Sequence, residues 1–278
     1  MNSKSSIQNK TINLPITSKK NYDKNSNTKK STNLFSLKPQ RFSIPKDIST
    51  FSIFQRLIKE VNSNFPKLQK KIELTHILLK NRLNIIFKMR DFIIKYRLSS
   101  NCFFFAIYLM DSLIAKKIQF PIDKIGLGAL VLSAKFTEID GKVPSMNKFK
   151  DFLGNSNVSL KDFIKIEIEC LKKLNYVLTF PNPLNFIQLF LVNGIVFNTD
   201  IKGNNSVSSN IYSIPCQMLD YVMEENTNYF QFNPFHLACA CVAQSREIYG
   251  IERWNPILSD VFGVSFQMFE KVFYFVKE

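Results

Sequence analysis

Residues 101–139 read NCFFFAIYLMDSLIAKKIQFPIDKIGLGALVLSAKFTEI. The stretches 101–115 and 122–139 are apolar on almost every side of a helix, and helices of that kind sit inside a bundle of other helices. Helices able to cover them lie on both sides. Ile48, Phe51, Phe54, Leu57, Ile58 and Val61 recur at three- and four-residue spacing after the break at Pro45. A stripe of Leu78, Ile85, Ile86, Met89 and Ile93 runs through residues 74–96. Downstream, Ser159-x-x-Asp162 is a capping box opening a helix with Phe163, Ile166, Cys170, Leu171 and Leu174. The run Phe180-Pro181-Asn182-Pro183 ends regular structure and marks a domain boundary, with Asn182 and Pro183 suited to the N-cap and first position of a new helix.

Beyond that boundary helical text resumes near 183–197, 207–225, 233–249, 253–262 and 264–277. AKFTEIDG at 134–141 aligns, 109 residues on, with AQSREIYG at 243–250, and both follow apolar helices rich in small residues. That offset is too long for a solenoid repeat and suits a duplicated bundle. Strand-like alternation is nowhere sustained. The sequence therefore predicts an all-α protein of two bundles in tandem.

Charge is the one compositional extreme. The 278 residues carry a net charge of +15, and residues 1–50 hold ten basic residues against two acidic ones. Residues 1–45 contain no Gly, Ala or Val and are dominated by Ser, Thr, Asn and Lys. Such a segment cannot bury enough surface to offset its ordering entropy, so a disordered basic tail is expected there. A tail of this kind is a solvated linker or a contact for nucleic acid, an acidic partner or an import receptor, and the doublets Lys19-Lys20 and Lys29-Lys30 suit the last.

Several function classes lack sequence support. Five scattered cysteines in apolar helical text read as reduced core thiols, and neither His76 nor His236 lies at metal-ligand spacing from them. No disulfide framework, metal or cofactor is expected. The eight glycines form neither GxGxxG nor GxxxxGK[ST]. No apolar run approaches bilayer length and the first residues lack a signal-peptide core, so a soluble intracellular protein without a membrane partner is expected. Two histidines in helical text supply no catalytic triad. Glu167 and Glu169, two residues apart on a helix, point to different sides and cannot share a proton. An enzyme is disfavoured.

The informative residues are charges that interrupt apolar helices. Asp111 follows nine apolar or aromatic residues and precedes Ser112-Leu113-Ile114, so its carboxylate requires a partner. Arg82 on the preceding helix is the candidate, because guanidinium matches carboxylate bidentately. Lys135 ends the run ALVLSA, and Glu167 sits within IKIEIECL. Taken alone each suits a solvated or snorkelling charge. The second repeat, however, has Gln244 where the first has Lys135, so the shared fold does not itself require that cation.

Four segments in order resemble the cyclin family. NRLNIIFKMRDFIIKYRL around Arg82 is similar to the segment that begins Met-Arg-Ala-Ile-Leu in mitotic cyclins, and YLMDSLI around Asp111 is similar to Tyr-Ile-Asp-Arg-Phe-Leu. LVLSAKFTEI around Lys135 resembles Leu-Leu-Ala-Ser-Lys-Phe-Glu-Glu-Ile. IEIECLKKLNYVLTFPNP around Glu167 resembles Met-Glu-x-x-x-Leu followed by the family's Pro-Thr-Pro boundary. The resemblance implies tandem cyclin folds, each a five-helix bundle. A cyclin box with its N-terminal helix would span 46–180 and a second cyclin fold 181–278, behind the 1–45 tail.

The resemblance further implies a non-catalytic subunit that pairs with a cyclin-dependent Ser/Thr protein kinase and activates it by positioning its C-helix and activation loop, in cell-cycle control and in the nucleus, the cytoplasm or both. Arg82 and Asp111 match the family's internal salt bridge. Lys135 and Glu167 match its kinase-contacting charges, with Leu132, Phe136, Leu171 and Tyr176 at the apolar positions around them. Where mitotic cyclins carry an apolar substrate-docking patch with a tryptophan, this chain has Asn81, Asn84, Ile85 and Lys88. Two alternatives stay open: a tandem-cyclin-fold protein of transcription-factor type binding DNA, and a scaffold that binds a kinase without activating it. Residues 1–101 lack the cysteines of the zinc ribbon that such transcription factors carry, so nucleic-acid contact would fall chiefly to the basic tail.

Overall fold

Side chains at the helix starts set the element boundaries. Asn182, Asn233 and Asn255 each precede a proline, and each side chain accepts a hydrogen bond from a backbone N–H of the helix it opens. The Pro at the first helical position lacks only an N–H that would have no partner there. Ser159 and Asp162 form the expected reciprocal capping box, and Ser99 accepts from the N–H of Cys102 at 3.1 Å.

The computed structural model describes residues 50–64, 76–154, 159–197, 200, 209–225 and 227–278. Among these there is no strand. The helices are α1 (Thr50–Asn64), α2 (His76–Tyr96), α3 (Ser100–Ala115), α4 (Ile122–Thr137), α5 (Met146–Lys150), α6 (Leu160–Lys173), α7 (Pro183–Asn193), α8 (Ile214–Glu225), α9 (Pro234–Ile248), α10 (Pro256–Phe262) and α11 (Phe266–Lys277). The tail at residues 1–45, with its lysine doublets, lies outside the described residues.

The boundaries that differ from the periodic reading include the starts of α8 and α10, at Ile214 and Pro256 rather than near 207 and 253, and the ends of α7 and α4. Apolar text continues to Phe197, but α7 stops at Asn193 because Gly194 turns to φ 91°, a conformation that favours glycine. α4 ends at Thr137 rather than Ile139: Glu138 is extended, and its carboxylate accepts from both the N–H and the hydroxyl of Ser99.

The helices gather in two groups. In the first, α3 packs on α4 and α2, and α4 also packs on α6. Cys102 to Leu113 of α3 and Ile125 to Ala134 of α4 are buried without interruption, as their all-round apolar sequences require. Gly128 makes the approach of α4 to α6 possible, since a Cβ there would stand 2.5 Å from the sulfur of Cys170. In the second group α9 is the central helix, packed by α7, α8 and α11. All five cysteines are buried free thiols, and burial pushes those of Cys102, Cys170 and Cys216 up to about 12.

The N-terminal helix belongs to the second group. Phe54 of α1 lies 5.2 Å, centroid to centroid, from both Phe235 and Phe262 in edge-on contact, and 6.5 Å from Phe186. Aromatic rings in such edge-to-face clusters gain beyond their buried area. Phe54→Ala is therefore expected to destabilise the protein by about 3–5 kcal/mol, read from the denaturation midpoint. A shift within error would show that α1 adds nothing to the core.

Candidate functional site

Arg82 and Asp111 meet in the interior, at 1% and 0% exposure. The guanidinium grips the carboxylate bidentately, Nε to Oδ1 at 2.8 Å and Nη2 to Oδ2 at 2.7 Å. Two more of its hydrogens go to the second group of helices: Nη1 donates to the carbonyl of Glu224 at 2.8 Å and Nη2 to that of Met223 at 2.6 Å. Tyr229 completes the cluster, its hydroxyl donating to Asp111 Oδ2 at 2.6 Å. Burial opposes the arginine's charge, but the attraction and hydrogen bonds of Asp111 outweigh it and raise its pKa; burial beside Asp111 raises that of Tyr229 too.

The pair is thus more than a clamp between α2 and α3. Met223 and Glu224 close α8, where carbonyls lack helical partners and the helix dipole is negative, so Arg82 caps α8 from the other bundle. Two turns along α2, Arg90 repeats the pattern, pairing with Asp220 at 2.7 Å and with the carboxylate of Glu224. Burial pushes Asp220 up to about 6 and Glu224 up to about 7, against the pull of Arg90. Asn101 joins the seam by accepting from Asn182 at 3.0 Å, at the start of α7.

Lys135 on α4 and Glu167 on α6 also meet, Nζ to Oε1 at 2.5 Å. The lysine is exposed and the glutamate half-buried. Around them the four apolar candidates divide. Phe136 and Tyr176 are open, at 49% and 66% exposure, while Leu171 is half-buried. Leu132, at 2% exposure, faces the core and offers a partner no surface. Ile139 at the end of α4 and Leu160, Ile164 and Ile168 along α6 are exposed too. Their spacing of four leaves one side of α6 uncovered and apolar, a pattern that a soluble surface rarely carries without a use. Asn81, Asn84 and Lys88 are exposed on α2, whereas Ile85 is in the core.

A second buried arginine was missed in the sequence. Arg246 of α9 is bidentate to Asp200, at 2.9 and 2.7 Å, and donates to the carbonyls of Ile195 and Glu252. It lies inside the aligned repeat AQSREIYG, and the signal was the one already used for Asp111, a charge beside an apolar helix. Among the described residues no three His, Cys, Asp or Glu side chains come together as a metal site, and no helix is long and apolar enough to cross a membrane. Burial lowers the pKa of His236.

A family model for the cyclin N-terminal domain matches residues 52–179. Over those residues the chain carries a cyclin box. It is similar to G2/mitotic-specific cyclin-A of Drosophila melanogaster, 22% identical over 71% of this chain and 39% of that protein. It is similar also to G2/mitotic-specific cyclin-B of Dictyostelium discoideum, 24% identical over 68% of this chain and 43% of that protein. The match thus spans about two fifths of these relatives' length. The crystal structure of a viral cyclin from herpesvirus saimiri superposes with a TM-score of 0.58 at 16% identity, covering 80% of this chain and 95% of the other.

The cyclin box so defined runs from α1 to α6 and stops just before the Asn182 cap of α7. Both halves of the Arg82–Asp111 pair and of the Lys135–Glu167 pair lie inside it. Removing one partner of a buried pair strands the other charge, so Arg82→Ala is expected to destabilise the protein by about 3–5 kcal/mol. Thermal melting measures this, and a change within noise would mean that Asp111 finds another partner.

Proposed function

We infer that this cyclin-box protein is the regulatory subunit of a cyclin-dependent Ser/Thr protein kinase and docks on it through the face bearing Lys135 and Glu167. The observation that carries the reading is the company this ion pair keeps. The pair, open on its lysine side, shares α4, α6 and their ends with uncovered Phe136, Ile139, Ile164, Ile168 and Tyr176, the mix of apolar anchors and charges that interfaces use. The mitotic cyclins among its relatives support a role in cell division, exercised in the nucleus, the cytoplasm or both.

In this reading the chemistry belongs wholly to the partner. A kinase transfers phosphate only when its C-helix glutamate holds the phosphate-binding lysine and its activation loop has left the substrate cleft. A subunit that binds that arrangement preferentially raises its population. Taking a kinase from 1% to 99% active requires a preference of about 5.5 kcal/mol, within reach of one well-packed interface.

Single charge reversals test the face. In the free protein Lys135→Glu or Glu167→Lys replaces one surface pair by a like-charge contact, which is expected to change stability by no more than about 1 kcal/mol. Against the kinase the same reversal is expected to cost about 2–5 kcal/mol, a 30- to several-thousand-fold loss of affinity. The double swap restores the internal pair but not the binding. Melting curves and kinase co-purification read both effects, and undiminished kinase binding by both single variants would overturn the reading.

A further inference from the structure

The charge on this chain is divided unevenly. Residues 76–180 carry 17 basic and nine acidic residues, whereas residues 181–278 carry five basic and nine acidic. Within the basic half an open basin of about 330 Å³ lies where the end of α2 meets the α4–α5 connection. Arg97, Lys142 and Lys148 line it with Tyr96, Val143 and Pro144, and no carboxylate does. The nearby Asp151 is engaged outside it, accepting from Lys95 and from the hydroxyl of Tyr96, each at 2.8 Å. That bond and contact with Phe92, 4.5 Å between ring centroids, fix the tyrosine ring, over which Lys148 stands at 5.5 Å.

Arg97 has φ 53°, the left-handed position that ends α2 and that Gly or Asn occupies by preference. The same left-handed turn ends helices at Lys117 and Tyr176, so it sets only where Arg97 stands; what marks the basin is a lining with three cations and no carboxylate. One guanidinium and two ammonium groups match the near-double charge and three acceptor oxygens of a phosphate monoester better than a single carboxylate.

We propose that this basin binds a phosphate group carried on a Ser or Thr side chain of a peptide. The choice of a phosphorylated peptide over the free anion rests on the kinase-regulator reading, because phosphorylated segments are what a partner kinase produces. A subunit with such a basin would retain targets already phosphorylated once and present them for a second transfer, while the docking face on α4 and α6 holds the kinase.

The test uses the full chain without any kinase, so that its outcome is independent of whether the Lys135 face binds one. Fluorescence anisotropy follows a labelled short peptide with one central phosphoserine, and its unphosphorylated twin. The phosphopeptide is expected to bind at least about tenfold tighter than the twin. Lys142→Gln with Lys148→Gln, and separately Arg97→Asn, which keeps a residue that tolerates the left-handed turn, are each expected to remove about tenfold of that affinity. Lys80→Gln, roughly 25 Å up the same helix, is expected to leave it within about twofold. Melting curves check that each variant folds. Equal binding of the twin, or an equal loss in Lys80→Gln, would overturn the site in favour of diffuse charge. Competition by inorganic phosphate as strong as by the phosphopeptide would overturn the peptide as its ligand.

Discussion

The Arg82–Asp111 pair is the interaction on which the rest depends. A buried ion pair is weak support for stability in itself, because the desolvation of both charges offsets much of their attraction. What distinguishes this one is where the remaining valences go. Two of the guanidinium hydrogens not used by Asp111 reach carbonyls in the last turn of α8, and the carboxylate takes a third bond from Tyr229. Every polar atom of the cluster is satisfied only when both bundles are present, so the pair specifies how the bundles meet. Arg90, Asp220 and Glu224 extend the junction toward solvent, and Arg246 with Asp200 plays a comparable part within the second bundle.

That junction leaves α4 and α6 with a free side. α3 is covered from Cys102 to Leu113 and α4 is buried from Ile125 to Ala134, so the exposed part of α4 is its final turn, where it presents Lys135 and Phe136. The stripe along α6 and the exposed Tyr176 lie in the same box, and the uncovered surface is continuous in chemistry with the ion pair. The basic basin is built instead from the end of α2 and the connection after α4. The two proposed sites are thus neighbours along the chain, since Ile139 of the docking face lies two residues before Gly141 of the basin.

Much of this was legible in the sequence, for reasons that can be named. The all-round apolar text of α3 and α4 required buried helices, and a lone Asp111 inside such text required a cation. Capping residues were readable because a cap acts locally: Ser159 with Asp162, and Asn182 before Pro183, state their helix starts within four residues. The acceptors on α8 were not readable, since a backbone carbonyl has no signature in the sequence and lies some 140 residues from Arg82. Leu132 shows the opposite limit. Spacing along a helix puts it beside Lys135 and Phe136, but whether that side faces the core depends on which neighbours pack there. The basin was equally silent, because lysines look alike in a basic chain until the fold gathers three cations around one concavity and draws the nearby carboxylate away.

Native-state hydrogen exchange across a denaturant series tests most directly whether the Arg82 cluster makes one cooperative unit of the two bundles. The amides of α4 and α9, each deep in its own bundle, are predicted to exchange with the same free energy, equal to that of global unfolding. Exchange of α9 at a distinctly lower free energy, with α4 still protected, would show that the bundles open independently and that the buried pair does not hold them together.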